Sequence, residues 1–348
     1  MFVFGDSLVD VGNNNHLPNC KVTCKANYPR YGVDHPGHAP TGRFSNGYNL
    51  ADQLAKLLGF AESPPPFLSL SNASVIRRQI SRGGINFASG GSGLLSTTGT
   101  SAQVCGEVIP MADQVRNFTS LVGRYGSTDR TVADDLVSKS LIFISVGSND
   151  LFEYADHFAQ ANISSSSRND AEFLQGLIAS YTSYVKDLYA AGATKFSVLS
   201  PSLVGCCPYQ RKVAKDLRAG VDQLGCFGAA NSLSRQLKPM IASMLQGLSQ
   251  ELPGMSYSLG DAIGMAEFVF SNANFTFDRA CCGEGDFGAS LCNSSVPMCQ
   301  NRSSYFFWDR FHPTDAASEI TAEALFAGDA RRFVSPVNVQ QLVAPRHI

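Results

Sequence analysis

A chain of 348 residues with 44% hydrophobic and 16% charged residues carries ample apolar material for a packed core, and its low charge excludes global disorder. A formal net charge of -2 and an isoelectric point near 6.3 leave no surplus of Lys and Arg to neutralise phosphates, which argues against nucleic acid as a partner. No run of about 18 apolar residues occurs, so no transmembrane segment is expected.

The first predicted element is the strand "FVF" at 2 to 4, which stops at Gly5, Asp6 and Ser7 with a helix start expected just beyond. Residues 13 to 45, rich in Asn, Pro, Gly and His, read as a surface loop. His35 and His38 lie there in a Pro-Gly turn without a further metal ligand. The stretch "NGYNLADQLAKLLGF" (46 to 60) places Leu50, Leu54, Leu57 and Leu58 on one helical face. A second strand, "INFAS" (85 to 89), runs into the small-residue segment "ASGGSG" (88 to 93). That segment is not a dinucleotide fingerprint, because Ser96 stands where the third glycine is needed, and no P-loop G-K-[ST] occurs in the chain.

A third strand, "LIFISVG" (141 to 147), ends in "GSND" (147 to 150), and "NISSSSRND" (162 to 170) reads as a loop. The helical period returns in "FLQGLIASYTSYVKDLYAAGA" (173 to 193), and "KFSVLS" (195 to 200) and "MSYSLGD" (255 to 261) complete five strands. Segments 201 to 230 and 278 to 307 are irregular and hold most of the cysteines. "FFWDRFHPT" (306 to 314) then precedes a last helix-like run, "TDAASEITAEALFAG", which Pro313 is expected to open at its first position. Strands alternating with helices predict a mostly parallel sheet covered on both faces, built as one domain over 1 to 348 with decorated loops.

Ten cysteines, at 20, 24, 105, 206, 207, 226, 281, 282, 292 and 299, lack the C-x-x-C spacing of zinc or redox sites and read as disulfides. A bond between the adjacent Cys281 and Cys282 is sterically awkward, so each is expected to pair elsewhere. N-x-S/T sequons stand at Asn72, Asn117, Asn162, Asn274, Asn293 and Asn301. Together these features predict an oxidising, glycosylating secretory route with N-linked glycans. No basic n-region, apolar h-region or cleavage site precedes the first strand, so the sequence reads as a mature or trimmed chain without its signal peptide.

In a parallel α/β sheet, ligands gather at the C-terminal ends of the strands, which ranks the polar strand ends as candidate chemistry. Ser7 alone reads first as a helix cap, since a serine hydroxyl is a poor nucleophile unless an oriented base takes its proton. His312 is the histidine with a carboxylate three positions earlier, Asp309, which can bond Nδ1 and leave Nε2 for the serine. Gly90 and Asn149, with the Ser7 N–H, could donate to an oxyanion. Read singly, they are a turn glycine and an Asx turn. The G-x-S-x-G elbow is absent, so a serine hydrolase here would be of another kind.

Taken in order, "GDSL" (5 to 8), "NFASGGSG" (86 to 93), "GSND" (147 to 150) and "DRFH" (309 to 312) resemble the four blocks of the GDSL, or SGNH, hydrolase family. Beyond them, "VDVGNNN" (9 to 15), "PTGRFSNG" (40 to 47), "CCGEG" (281 to 285) and "FWDRFHPT" are similar to the plant GDSL esterase/lipase branch. The resemblance implies a flavodoxin-like three-layer α/β/α sandwich on a five-stranded, mostly parallel sheet. It implies a Ser7, Asp309, His312 triad with Gly90, beside Gly91 in the same small-residue run, and Asn149 as oxyanion donors. It also implies a secreted, extracellular enzyme of apoplast or cell wall, needing no cofactor or metal, that acts on a small-molecule or polymer-linked acyl ester. An acyltransferase or a polysaccharide O-acetyl esterase would use the same triad, and a non-catalytic binding protein could keep the fold. Loops 13 to 45, 95 to 130 and 201 to 230 are expected to shape the cleft.

Overall fold

The computed structural model describes residues 1–126, 136–161, 168–272, 275–329 and 332–344. Within them the strands, in chain order, are β1 (Phe2–Gly5), β2 (Leu141–Ser145), β3 (Lys195–Leu199), β4 (Ser256–Gly260), β5 (Thr276–Ala280), β6 (Tyr305–Phe307) and β7 (Val334–Pro336). The main sheet has the order β1-β2-β3-β4-β7, parallel through β4 and closed by antiparallel β7, while β5 and β6 pair apart from it.

The larger helices are α1 (Leu50–Leu57), α2 (Ala73–Arg82), α3 (Met111–Gly126), α4 (Ser148–Gln160), α5 (Asp170–Ala190), α6 (Pro208–Asp216), α7 (Gly228–Glu251), α8 (Ala262–Asn272), α9 (Asp315–Ala327) and α10 (Val339–Val343). Alternation along the strands separates two cores. Phe2, Phe4, Ile142 and Ile144 point to the face covered by α3, α5 and α7, where Phe118, Tyr181 and Leu237 are buried. Val3, Leu141 and Phe143 point to the other, where Leu54 of α1, Leu325 of α9 and Leu342 of α10 pack. Both faces being covered, β1 and β2 are apolar without interruption, and the result is the expected α/β/α sandwich.

The fifth strand is not the expected one. Residues 85 to 89 run beside β1 with Val3 N–H to Ile85 O at 3.1 Å, Phe87 N–H to Val3 O at 2.8 Å and Ser89 N–H to Gly5 O at 3.0 Å. They form only an isolated bridge at Asn86, whose outer backbone edge bonds Pro65 and Phe67 rather than a strand. The fifth place belongs to β7 at the opposite edge, three residues carrying Pro336, which only an edge tolerates.

Four bridges join Cys24 to Cys105, Cys206 to Cys226, Cys281 to Cys299 and Cys282 to Cys292, so the adjacent pair does diverge. Cys20 and Cys207 are buried free thiols, which narrows the reading of all ten cysteines as bridged. Two of the expected loops hold helices: α3 occupies much of 95 to 130, and α6 lies within 201 to 230. Asn72 caps α2, its side chain accepting from the N–H groups of Ser74 and Val75 at 3.1 and 3.0 Å. Asn162 and Asn274, with most of the loop 162 to 170, lie outside the described residues.

Candidate active site

β1 delivers its C-terminal end to the point where Ser7 begins a tight turn. Gly5 makes the exit possible: at φ +142° a Cβ there would lie 1.9 Å from Ser145 O. Asp6 N–H bonds Ser145 O at 3.1 Å, and its carboxylate accepts the Leu8 N–H at 3.0 Å, so the turn is braced on both sides of the serine. The expected helix does not follow. One turn closes through Asp10 N–H to Asp6 O at 3.0 Å, and the chain then enters the short 3-10 turn Asn13–His16. Ser7 is therefore not a helix cap.

The histidine arrives from the far end of the chain. After β6, Asp309 Oδ1 accepts the N–H groups of Phe311 and His312, each at 2.8 Å, a local turn that fixes the imidazole over its own carboxylate. The last long helix begins at Asp315 rather than at Pro313, and Thr314 caps it, its hydroxyl accepting from Ala317 N–H at 3.2 Å. His312 Nδ1 lies 2.8 Å from Asp309 Oδ2, and Nε2 lies 2.8 Å from Ser7 Oγ. With an ionised Asp309 as acceptor, Nδ1 carries the proton and Nε2 is left to accept from the serine.

Asp309 is buried, and burial pushes its carboxyl up. Its pairing with His312, the Tyr31 hydroxyl at 2.6 Å and the Phe311 N–H outweigh that and hold it at about 2. Asp309 is thus a permanent negative charge facing Nδ1 at any ordinary pH. The Phe44 ring centroid lies 4.7 Å from that of His312 and covers the imidazole. Both Tyr31 and Phe44 come from the loop 13 to 45, where no periodicity singles them out.

The segment "VDVGNNN" has a constructional role. Asp10 accepts the Gly12 and Asn13 N–H groups at 2.7 and 2.8 Å on Oδ1. Asn13 donates to Asn86 O and Ala88 O, and Asn14 to Gly90 O, at 2.8 to 2.9 Å. These buried side chains clamp residues 86 to 90 against β1, doing with side chains what a neighbouring strand would do with its backbone.

This clamp corrects one expected site residue. The Gly90 N–H is spent on Asp10 Oδ2 at 2.9 Å, so it does not face a substrate oxygen. The next residue, Gly91, lines the cleft, and its N–H makes no hydrogen bond among the described residues. Asn149, near the N-terminus of α4, spends one amide hydrogen on Ser92 O at 2.9 Å and leaves the other toward the same cleft. Asp150 behind it is buried, accepts from the N–H groups of Leu94 and Leu95 and the Thr98 hydroxyl, and fixes the loop after Gly91.

Ser7, Gly91, Asn149 and His312 open on one cavity of 520 Å³. The arrangement provides a hydroxyl, a base able to take its proton, a buried carboxylate to stabilise the imidazolium, and N–H donors that line the same cleft. That set suits attack on an acyl carbonyl.

A sequence model for the family described as GDSL-like Lipase/Acylhydrolase matches residues 1–325. Among curated proteins, one GDSL esterase/lipase of Arabidopsis thaliana is 36% identical over 353 residues, covering 99% of this chain and 89% of that protein. Two others from the same plant are 34% and 32% identical, each covering 99% of this chain and 85% and 91% of their own lengths.

Proposed function

Because the chain belongs to the GDSL-like lipase/acylhydrolase family and is an ester-bond hydrolase of that family, we propose that Ser7, His312 and Asp309 are its catalytic triad. His312 Nε2 takes the Ser7 proton as Oγ attacks the ester carbonyl, and Asp309 stabilises the imidazolium that forms. The tetrahedral oxyanion is held by the N–H groups of Ser7 and Gly91 and by the Asn149 amide, each such donor typically being worth about 10² to 10³ in rate. His312 then gives its proton to the leaving alcohol, and water, activated by the same imidazole, hydrolyses the acyl-enzyme.

The observation that carries this reading is the unbroken hydrogen-bonded line from Ser7 Oγ through His312 to Asp309, with 2.8 Å at both ends of the imidazole. Four disulfides support an extracellular setting for the enzyme, and the exposed sequon at Asn301 is open to glycosylation there. Among the described residues no helix is long and apolar enough to cross a membrane. Labelling with a fluorophosphonate followed by peptide mass spectrometry tests the assignment: a single adduct on Ser7 supports it, and an adduct on another serine with Ser7 unmodified contradicts it.

A further inference from the structure

Resting on the roles given to Ser7 and His312, we propose that the alcohol part of the preferred ester carries a carboxylate, held in the cleft by the Arg310 guanidinium and the Tyr209 hydroxyl. Apart from His312, Arg310 is the only basic side chain that lines the cleft among the described residues. Other partly buried arginines meet an acid: Arg43 lies 2.6 Å from Asp52, and Arg302 lies 2.6 Å from Asp34. Arg310 meets none among the described residues. Its Cζ lies 5.6 Å from the ring centre of Tyr209 and 5.1 Å from that of Phe311, and its backbone oxygen accepts the Tyr209 N–H at 3.0 Å. Attraction to the rings positions the guanidinium without using its N–H donors. The Tyr209 hydroxyl, on the same wall, likewise has no hydrogen-bond partner among the described residues.

A half-buried cation has lost part of its hydration, a cost that an opposite charge offsets. The chain does not supply that charge. Asp309, next in sequence, is committed to His312 and Tyr31. Two further cleft acids stand on α4 and serve other donors: Glu153 accepts the Gly99 N–H and Asp156 the Gln210 amide, both at 2.7 Å. The Asp156 carboxyl feels Glu153 and not Arg310. The partner of Arg310 therefore arrives with the substrate. Glu153 and Asp156 also limit its charge, since a dianion would be repelled by them, whereas one carboxylate matches the fork of one guanidinium.

Position decides which half of the ester carries it. Arg310 precedes His312 by two residues, and the Phe311 ring between them is 6.1 Å from the imidazole. His312 gives its proton to the departing oxygen, so the alcohol leaves along this wall, where the Phe311 ring centre lies 5.4 Å from that of Phe152 and 4.9 Å from that of Tyr209. An aromatic ring laid beside Phe311 spans the gap between the imidazole and Arg310, which makes a hydroxybenzoate ester a suitable probe.

The test is kcat/KM on the intact protein for 4-acetoxybenzoate and for uncharged 4-acetoxybenzamide, read as the ratio in each variant relative to the unaltered protein, so that the intrinsic reactivities cancel. Arg310→Gln should lower the benzoate-to-benzamide ratio by about ten- to a hundredfold, the usual worth of a hydrogen bond to a charged group. Arg310→Lys should restore part of it, because the charge stays and only the fork is lost. An unchanged ratio in an Arg310→Gln protein that melts cooperatively overturns the proposal, and so does a loss that Arg310→Lys restores in no part. Turnover of both esters that survives Ser7→Ala overturns the reading of the site instead. If the variants misfold, inhibition of the unaltered enzyme by the released phenols decides. 4-Hydroxybenzoate should inhibit at least about tenfold more tightly than 4-hydroxybenzamide, and equal inhibition by the two contradicts the proposal.

Discussion

Tyr31 donates a 2.6 Å hydrogen bond to Asp309, joining the loop before the first helix to a carboxylate 278 residues later. Asp309 also keeps two backbone N–H donors, so Tyr31 trims its orientation rather than creating it. Tyr31→Phe should cost about 1.5 to 3 kcal/mol of stability, the usual value of a hydrogen bond to a charged group, measured by urea unfolding. Its kcat should fall by no more than about tenfold, since the imidazole remains held at Nδ1. A thousandfold loss in a folded Tyr31→Phe protein would mean that the hydroxyl does more than position the carboxylate.

The buried acids set the response to pH. Burial raises Asp6 to about 7 and Asp10, Asp150 and Asp156 to about 6, from an ordinary 3.8. For such groups the folded state binds more protons than the unfolded chain between those values, so their contribution to stability declines as pH rises from about 4 to about 7. Asp309 has the opposite sign. Its pKa is depressed to about 2, so its contribution is present above about 4 and is lost as pH falls toward 2. Stability should therefore peak in mildly acidic solution and drop by about 5 kcal/mol between pH 5 and 7.5. Unfolding curves across this range that rise monotonically to pH 7.5 would contradict the assignment.

In the proposed mechanism Asn149 is the side-chain donor to the oxyanion. Asn149→Ala should lower kcat by about 10² to 10³ with KM little changed, because the bond is made in the transition state and not in the ground state. A rise in KM with kcat intact would recast Asn149 as a substrate-binding residue.

Cys24 and Cys105 both line the cleft, and their bond spans 81 residues of sequence. Replacing both with serine should destabilise the protein by about 2 to 4 kcal/mol through the loop it leaves unconstrained. Loss of less than about 0.5 kcal/mol in thermal unfolding would show that the bond constrains little.

Much of the fold was readable because β1 and β2 are short apolar runs buried along their whole length, which leave a clear trace in composition, whereas β3 and β4 mix Lys195, Ser197, Ser256 and Ser258 with their apolar residues and are marked by the turns that bound them. β7 was not, since three residues including a proline carry no period. Residues 85 to 89 look like a strand and make strand-like bonds to β1, but their outer edge is taken by a loop, a tertiary fact that local pattern does not encode. At the site, Ser7, His312 and Asp309 stood out because their chemistry is rare in combination. Tyr31 and Phe44 sit in aperiodic loop and meet the histidine only through folding. The choice between Gly90 and Gly91 turned on one long-range hydrogen bond from Asp10, which adjacent glycines in a sequence cannot reveal.

The proposed chemistry begins with Ser7 as the nucleophile. Its most direct measurement is the steady-state hydrolysis of a p-nitrophenyl ester by the Ser7→Ala protein beside the unaltered one, with folding verified by circular dichroism. A loss of about 10⁴-fold or more in kcat, with the fold intact, is the predicted result. Retained turnover above about a tenth of the unaltered rate would contradict the account.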